Sequence, residues 1–258
     1  MPDAKTGGCV LDVKDVSKSF GGFVAVNKVS LTLDPGERRA LIGPNGAGKT
    51  TLFNIISGRL RPTAGHVFYH GTSIDGLSPP AISRLGIGRT FQITSIFPKL
   101  TCLQNVQTVL FANHGRSYWL ISRSAALDAG EARSFLELVG LGNVASSAAS
   151  LLSYGDKKRL ELAMTLALRP KLLLLDEPTA GVELQTRREL VMLVRNLCSQ
   201  HKLTLLFCEH DMDAVFSIAD RITVMHQGRI LTEGSPQEVA HDAAVRSIYL
   251  GASHGANA

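Results

Sequence analysis

With 258 residues, 45% of them apolar and 19% charged, the chain can build one composite core or two tightly packed subdomains, and it holds too many core formers for a disordered protein. Its formal net charge of +5 suits a phosphate-rich ligand, an anionic membrane surface or nucleic acid, yet the basic residues are dispersed and charge selects none of the three. No apolar run approaches the roughly 18 residues that a membrane-crossing helix needs. The start MPDAKTGGCV lacks an export signal, and Cys9, Cys102, Cys198 and Cys208 lack CxxC spacing, so a cytoplasmic protein with free thiols is expected.

Leu11 with Val13, and Val29 to Leu33, alternate apolar with polar residues, which predicts half-buried antiparallel strands near the N-terminus. Arg38 to Ile42 reads as a short apolar strand; after a glycine-rich turn, Leu52, Ile55 and Ile56 mark one face of a helix ending near Gly58. His66 to Tyr69, between Gly65 and Gly71, reads as a further strand. From Phe97 to Leu152 helical signals dominate. Thr101 and Gln104 form a capping box ahead of Val106, Val109 and Leu110, and Phe135, Leu138 and Val139 mark a second helix closed by Gly140.

Strand and helix then alternate. A helix runs through Leu160, Ala163, Met164 and Ala167, a strand over Leu172 to Leu175, a helix through Leu190, Val191, Val194 and Leu197, and a strand over Thr204 to Cys208. Such alternation predicts a mainly parallel sheet covered on both faces. Ile222 to Met225 and Ile230 to Thr232 form a hairpin across His226 to Arg229, and Ser235, Pro236 and Glu238 open a terminal helix.

Gly43-Pro44-Asn45-Gly46-Ala47-Gly48-Lys49-Thr50 fits G-x-x-x-x-G-K-[ST] and sits between an apolar strand and an amphipathic helix, the context this phosphate cradle requires. Glycines let backbone N–H groups converge on phosphate oxygens, the helix N-terminus adds a positive dipole end, and Lys49 adds a point charge. Thr50 is the candidate Mg²⁺ ligand, with Thr51 beside it. Leu172 to Leu175 emerges into Asp176 and Glu177. In a P-loop enzyme one carboxylate, Asp176, holds the metal and the other, Glu177, is free to act as general base toward water.

Leu152-Ser153-Tyr154-Gly155-Asp156-Lys157-Lys158-Arg159-Leu160 precedes Asp176 by one helix and resembles the LSGGQ signature of ABC ATPases, with Tyr154 in place of a glycine and Asp156 in place of glutamine or glutamate. Ser153 and the Gly155 backbone precede a helix and so offer a second anion site. The resemblance implies that this site caps the γ-phosphate of ATP held by a second ATPase subunit, identical or a sister, in a head-to-tail dimer. It further identifies Gln92 in Arg89-Thr90-Phe91-Gln92 as the Q-loop glutamine, a sensor of Mg²⁺ and water, and His210 as the switch histidine reaching the γ-phosphate. Phe20 before Gly21-Gly22 matches the aromatic that stacks on adenine, and Ala180-Gly181-Val182-Glu183 stands at the D-loop.

The implied fold is an α/β P-loop NTPase core with an N-terminal antiparallel β subdomain and an inserted α-helical subdomain. Its expected parts are residues 9–92 (β subdomain and the P-loop part of the core), 93–156 (helical subdomain with the signature), 157–234 (the rest of the core) and 235–258 (helical tail). Gly86 to Gln92, Ile96-Phe97-Pro98-Lys99-Leu100-Thr101, the Tyr154 signature and the ending Ile248-Tyr249-Leu250-Gly251 are similar to ATPases of branched-chain and hydrophobic amino-acid importers, a subgroup that also serves urea and amides. The implied function is ATP hydrolysis coupled to uptake, with ATP and Mg²⁺ bound. The implied partners are transmembrane permease subunits, a second ATPase subunit and, indirectly, a solute-binding protein, at the cytoplasmic side of the cell membrane and without nucleic acid. The rivals are an ABC ATPase of another transport system, a non-transport ABC regulator and a P-loop kinase. Arg116 to Arg123 holds the only Trp, Trp119, beside Tyr118; it reads either as a permease-facing surface or as an insertion helix packed on its own core.

Overall fold

The computed structural model describes residues 8–90, 96–113 and 121–251. Strands β1 (Leu11–Phe20) and β2 (Phe23–Leu33) pair antiparallel, and inward side chains alternate through Val29, Leu31 and Leu33 as their pattern predicts. In β1 the alternation slips: Asp15 has φ 47° and the pairing register shifts between Val13 and Val16, so the buried positions run Leu11, Val13, Val16. The chain then enters β3 (Arg38–Ile42), the P-loop and α1 (Lys49–Ile56), and returns through β4 (Ala64–Tyr69) and β5 (Thr72–Ser73). These four outer strands form one antiparallel sheet, ordered β2-β1-β4-β5.

Helix α2 (Pro79–Leu85) leads into β6 (Ile87–Arg89). Helices α3 (Cys102–Asn113) and α4 (Ile121–Leu138) come next and pack on each other and on α5 (Tyr154–Ala167). The capping box is formed: Thr101 N–H donates to Gln104 Oε1 at 2.9 Å, and Gln104 N–H donates to Thr101 Oγ1 at 3.1 Å. Val106 and Leu110 are fully buried behind it. The face expected for the second helix is offset. Ala132, Leu136 and Val139 are buried whereas Leu138 is 37% exposed, because the final turn tightens, with Val139 N–H reaching the Leu136 carbonyl.

The remaining elements are β7 (Leu172–Asp176), α6 (Leu184–His201), β8 (Thr204–Cys208), α7 (Met212–Ile218), the hairpin β9 (Arg221–His226) and β10 (Arg229–Gly234), α8 (Pro236–His241) and α9 (Ala243–Gly251). The second sheet runs β10-β9-β3-β8-β7-β6, parallel throughout except for β10 against β9. Its two faces explain the unbroken apolar strand at Leu172 to Leu175. Leu173 and Leu175 join the core with α5, α6 and α7, while Leu172 and Leu174 join a second core with α1 and the antiparallel sheet. Fully burying each leucine is worth about 1.5–3 kcal/mol, so β7 is a rigid support for whatever its carboxyl end carries. Ser235 and Glu238 close the expected capping box at α8. All four cysteines are free thiols.

Candidate active site

The carboxyl ends of β3, β8 and β7 stand side by side, the edge at which open parallel sheets bind ligands. From β3 the chain turns through residues 43–48 into α1, whose first turn carries no side-chain cap and therefore keeps its backbone N–H groups for an anion. Two glycines are needed there for close approach. A Cβ on Gly43 would lie 2.2 Å from the Met225 carbonyl oxygen and one on Gly48 2.4 Å from that of Ala25, and both residues have positive φ, at 151° and 101°. The β9–β10 turn buttresses the loop: Gly228 N–H donates to the Ala47 carbonyl at 3.1 Å, and Asn27 N–H donates to Gly228 at 2.7 Å. Pro44, Asn45 and Gly46 stand at the open side of this loop, Thr50 is exposed and Thr51 half-buried.

Lys49 is buried, and its ammonium donates to the carbonyls of Gly43 and Pro44. Burial lowers its pKa from the usual lysine range, opposed by the Cys208 thiol and the carboxylates of Glu177 and Asp176. Asp176 is 2% exposed. Its Oδ2 accepts from Arg89 at 3.0 Å, and Oδ1, also buried, has no partner among the described residues. Burial raises the Asp176 carboxyl above its ordinary value, with the Arg89 charge working against that rise. A buried carboxylate oxygen with nothing to bind fits a hard cation, which takes oxygen ligands, so Asp176 and Thr50 are suited to Mg²⁺.

Glu177 has φ 52°, a left-handed conformation costly for a side chain with a Cβ, held by its N–H donating to the Cys208 carbonyl at 3.0 Å. That geometry turns its carboxylate toward β8, where His210 Nε2 lies 2.9 Å from Glu177 Oε1. Lys49, Asp176, Glu177 and His210 are thus brought to one place. Phe20 is 47% exposed at the β1–β2 turn, paired across it with Phe23, which is more exposed still; Lys18 Nζ stands 5.2 Å from the Phe20 ring centroid.

Ser153 and Gly155 lie elsewhere. Ser153 caps α5, its hydroxyl accepting from Asp156 N–H at 3.1 Å and donating to Asp156 Oδ2 at 2.8 Å, and Gly155 is packed against Thr186 and Val182 at the start of α6. Among the described residues no hydrogen bond joins either one to residues 43–51. Gln92 falls outside the described residues, as do Tyr118 and Trp119.

Three partners of the site escaped sequence reasoning. Glu209, buried, accepts from the Thr179 backbone N–H at 2.9 Å and from its hydroxyl at 2.7 Å, tying the loop after Glu177 to the strand before His210. Arg187 on α6 donates to Asp211 at 2.6 Å, next to His210. Arg89 grips Asp176. The available signal was position: Glu209 and Arg89 stand within three residues of a motif residue, and Arg187 stands four residues after Glu183.

This geometry agrees with the comparisons. Residues 26–180 match a family model described as ABC transporter, and residues 229–255 match one described as branched-chain amino acid ATP-binding cassette transporter. The high-affinity branched-chain amino acid transport ATP-binding protein LivG of Escherichia coli is 39% identical over 94% of this chain and 98% of its own. The chain belongs to the ABC transporter family. BraF of Pseudomonas aeruginosa, described likewise, is 38% identical over the same 94% of this chain and 98% of its own length. Among solved ABC cassettes, one crystallised free of nucleotide superposes with TM-score 0.83 at 30% identity, covering 93% of this chain and 98% of that one, and another in its ADP conformation gives the same TM-score and identity over 94% and 99%. The fold of an ABC ATPase, with its antiparallel sheet, parallel sheet and helical insertion, is the fold described above. Among the described residues no helix is long and apolar enough to cross a membrane.

Proposed function

We propose that this chain is the ATP-hydrolysing subunit of an importer, held at the cytoplasmic side of the cell membrane by permease subunits, and that it powers uptake of branched-chain amino acids or related small polar solutes such as urea and amides. The observation that carries the hydrolytic part is the convergence of Lys49, Asp176, Glu177 and His210 at the carboxyl ends of neighbouring strands. The match of residues 229–255 and the described roles of LivG and BraF support the cargo class.

Backbone N–H groups of residues 45–50 receive the triphosphate, and Lys49 exchanges the Gly43 and Pro44 carbonyls for phosphate oxygens. Phe20 stacks on adenine. Thr50, Asp176 and Gln92 would hold Mg²⁺, which would neutralise charge on the phosphate oxygens. Glu177 takes a proton from the attacking water as its oxygen bonds to the γ-phosphorus and the bond to the ADP oxygen breaks. His210 donates toward the γ-phosphate and, through its contact with Glu177, holds the base in line. Ser153 and the Gly155 backbone of a second subunit, identical or a sister, close over the γ-phosphate. ATP binds the closed pair better than the open one, so phosphate loss reopens it and moves the permease.

Reconstitution tests this. The chain is combined with its permease subunits and solute-binding protein in vesicles supplied with ATP, and uptake of labelled leucine and of urea is followed. Uptake of either that requires Glu177 supports the reading. Hydrolysis indifferent to the permease, accompanied by salt-sensitive nucleic-acid binding, replaces it with the regulator.

A further inference from the structure

The Arg89 side chain is 7% exposed and spans two elements that the nucleotide reading assigns to the metal. One guanidinium nitrogen donates to Asp176 Oδ2 at 3.0 Å. The other donates to Asn54 Oδ1 at 2.8 Å and to Ser57 Oγ at 2.6 Å, and the guanidinium carbon stands 5.7 Å from the Phe53 ring centroid. Asn54 and Phe53 belong to α1, and Ser57 caps its end, so all three anchors ride on the helix whose first residues are Lys49 and Thr50. Arg89 itself is fixed by β6, registered Ile87 to Leu172, Gly88 to Leu173 and Arg89 to Leu174 against β7. Gly88 keeps that strand close, since a Cβ there would meet Pro170 and Thr165 side chains at 3.0 Å.

The consequence falls on the two oxygens of Asp176. A planar guanidinium held at both ends has one orientation, and it claims Oδ2 while leaving Oδ1 buried and unpartnered among the described residues. We infer that Arg89 is a positioning residue for the metal: it locks the Asp176 carboxylate to α1 so that Oδ1 and the Thr50 hydroxyl are held at a fixed separation before Mg²⁺ arrives. A carboxylate free to rotate has to be ordered by the ion itself, and loss of such outer partners characteristically lowers metal affinity by about 10–100-fold. A purely structural ion pair would alter the melting temperature and leave the magnesium requirement alone.

This inference rests on the ATP-hydrolysing reading, and the experiment separates the two. Binding of a fluorescent mant-ATP is titrated with MgCl2, and separately in EDTA, for the wild type, Arg89→Gln, Arg89→Lys and the double variant Asn54→Ala/Ser57→Ala, each checked for an intact cooperative melt. The magnesium concentration giving half of the metal-dependent tightening is expected to rise about tenfold in Arg89→Gln. A smaller rise is expected in Arg89→Lys, which keeps the charge without the fork, and in the double variant, which keeps the ion pair without its anchors. Affinity in EDTA is expected to stay unchanged in all three. Should Arg89→Gln fail to fold, the double variant decides alone. An unchanged magnesium requirement in the folded variants overturns the positioning role; a wild type whose mant-ATP binding ignores magnesium overturns the reading beneath it.

Discussion

Glu177 works from a backbone conformation, φ 52°, that residues with a Cβ rarely adopt, and this makes its chemistry separable from its shape. Gln at the same position meets the same backbone demand and still accepts the His210 contact through its carbonyl, but it cannot take a proton. Glu177→Gln is therefore expected to retain ATP binding while phosphate release falls about 100- to 10,000-fold, the usual worth of a positioned base. Hydrolysis within a few-fold of wild type in a phosphate-release assay would remove Glu177 as the base. Lys49→Ala addresses the cradle instead, and weaker mant-ATP binding together with lost turnover is expected. The acids and the lysine were legible because their motif strings fix both type and spacing. Glu209 and Arg89 were not, since a single charged residue beside a strand carries no period and its partners Thr179 and Asp176 come from other strands or loops.

At the scale of elements, legibility followed length and two-sided burial. The leucines of β7 and the period of α6 announced themselves, whereas α2 buries only Ile82, β6 has three residues and α7 only seven, too few turns or repeats to show a face. The start of α5 shows both outcomes. Ser153 as a cap was readable, but the need for glycine at position 155 has a second cause in tertiary structure: a Cβ there would lie 2.4 Å from Thr186 Cγ2 on α6. Asp156 departs from the family signature and here holds the Ser153 hydroxyl that should reach a partner's phosphate. Asp156→Gln is expected to release it and strengthen ATP-driven closure several-fold in a Glu177→Gln background, measured by sedimentation across protein concentrations, while losing roughly 0.3–1 kcal/mol of helix-dipole stabilisation. Weaker closure would show that Asp156 assists the signature. The link between α6 and the switch is acid-labile. The Arg187 hydrogen bond holds Asp211 below the ordinary carboxylate range, so its stabilisation is present above the unfolded pKa of about 3.9 and is lost as pH falls through the lower folded value. The gap in melting temperature between wild type and Arg187→Met should therefore shrink on acidification from about pH 5 to about pH 3; a gap independent of pH would deny the pair that role.

Under the proposed function the whole molecule carries two half-sites on one chain. The cradle and its carboxylates gather at the sheet edge, while Ser153 and Gly155 sit on α5 against α6, with no described hydrogen bond to the P-loop. Alternation of strands and helices disclosed the layered core in advance, whereas the proposed service of the Ser153 cap to a second subunit rests on the family resemblance and on no periodic pattern. Two chains of formal charge +5 repel each other, so closure without nucleotide gains little, and each bound triphosphate brings negative charge together with hydrogen-bond acceptors to both halves. The Glu177→Gln chain is expected to sediment as a monomer without nucleotide and at twice that mass with ATP and Mg²⁺. Adding Ser153→Ala should weaken the dimer through the capping half, and adding Lys49→Ala should abolish it through the cradle, each with the other half intact. The pairing of these two variants is informative because one chain carrying Ser153→Ala mixed with one carrying Lys49→Ala restores a single complete interface. Such a mixture should recover part of the dimer that neither variant forms well alone, and failure to do so, with the sister cassette of the same transporter also bringing no association, would disprove the shared site.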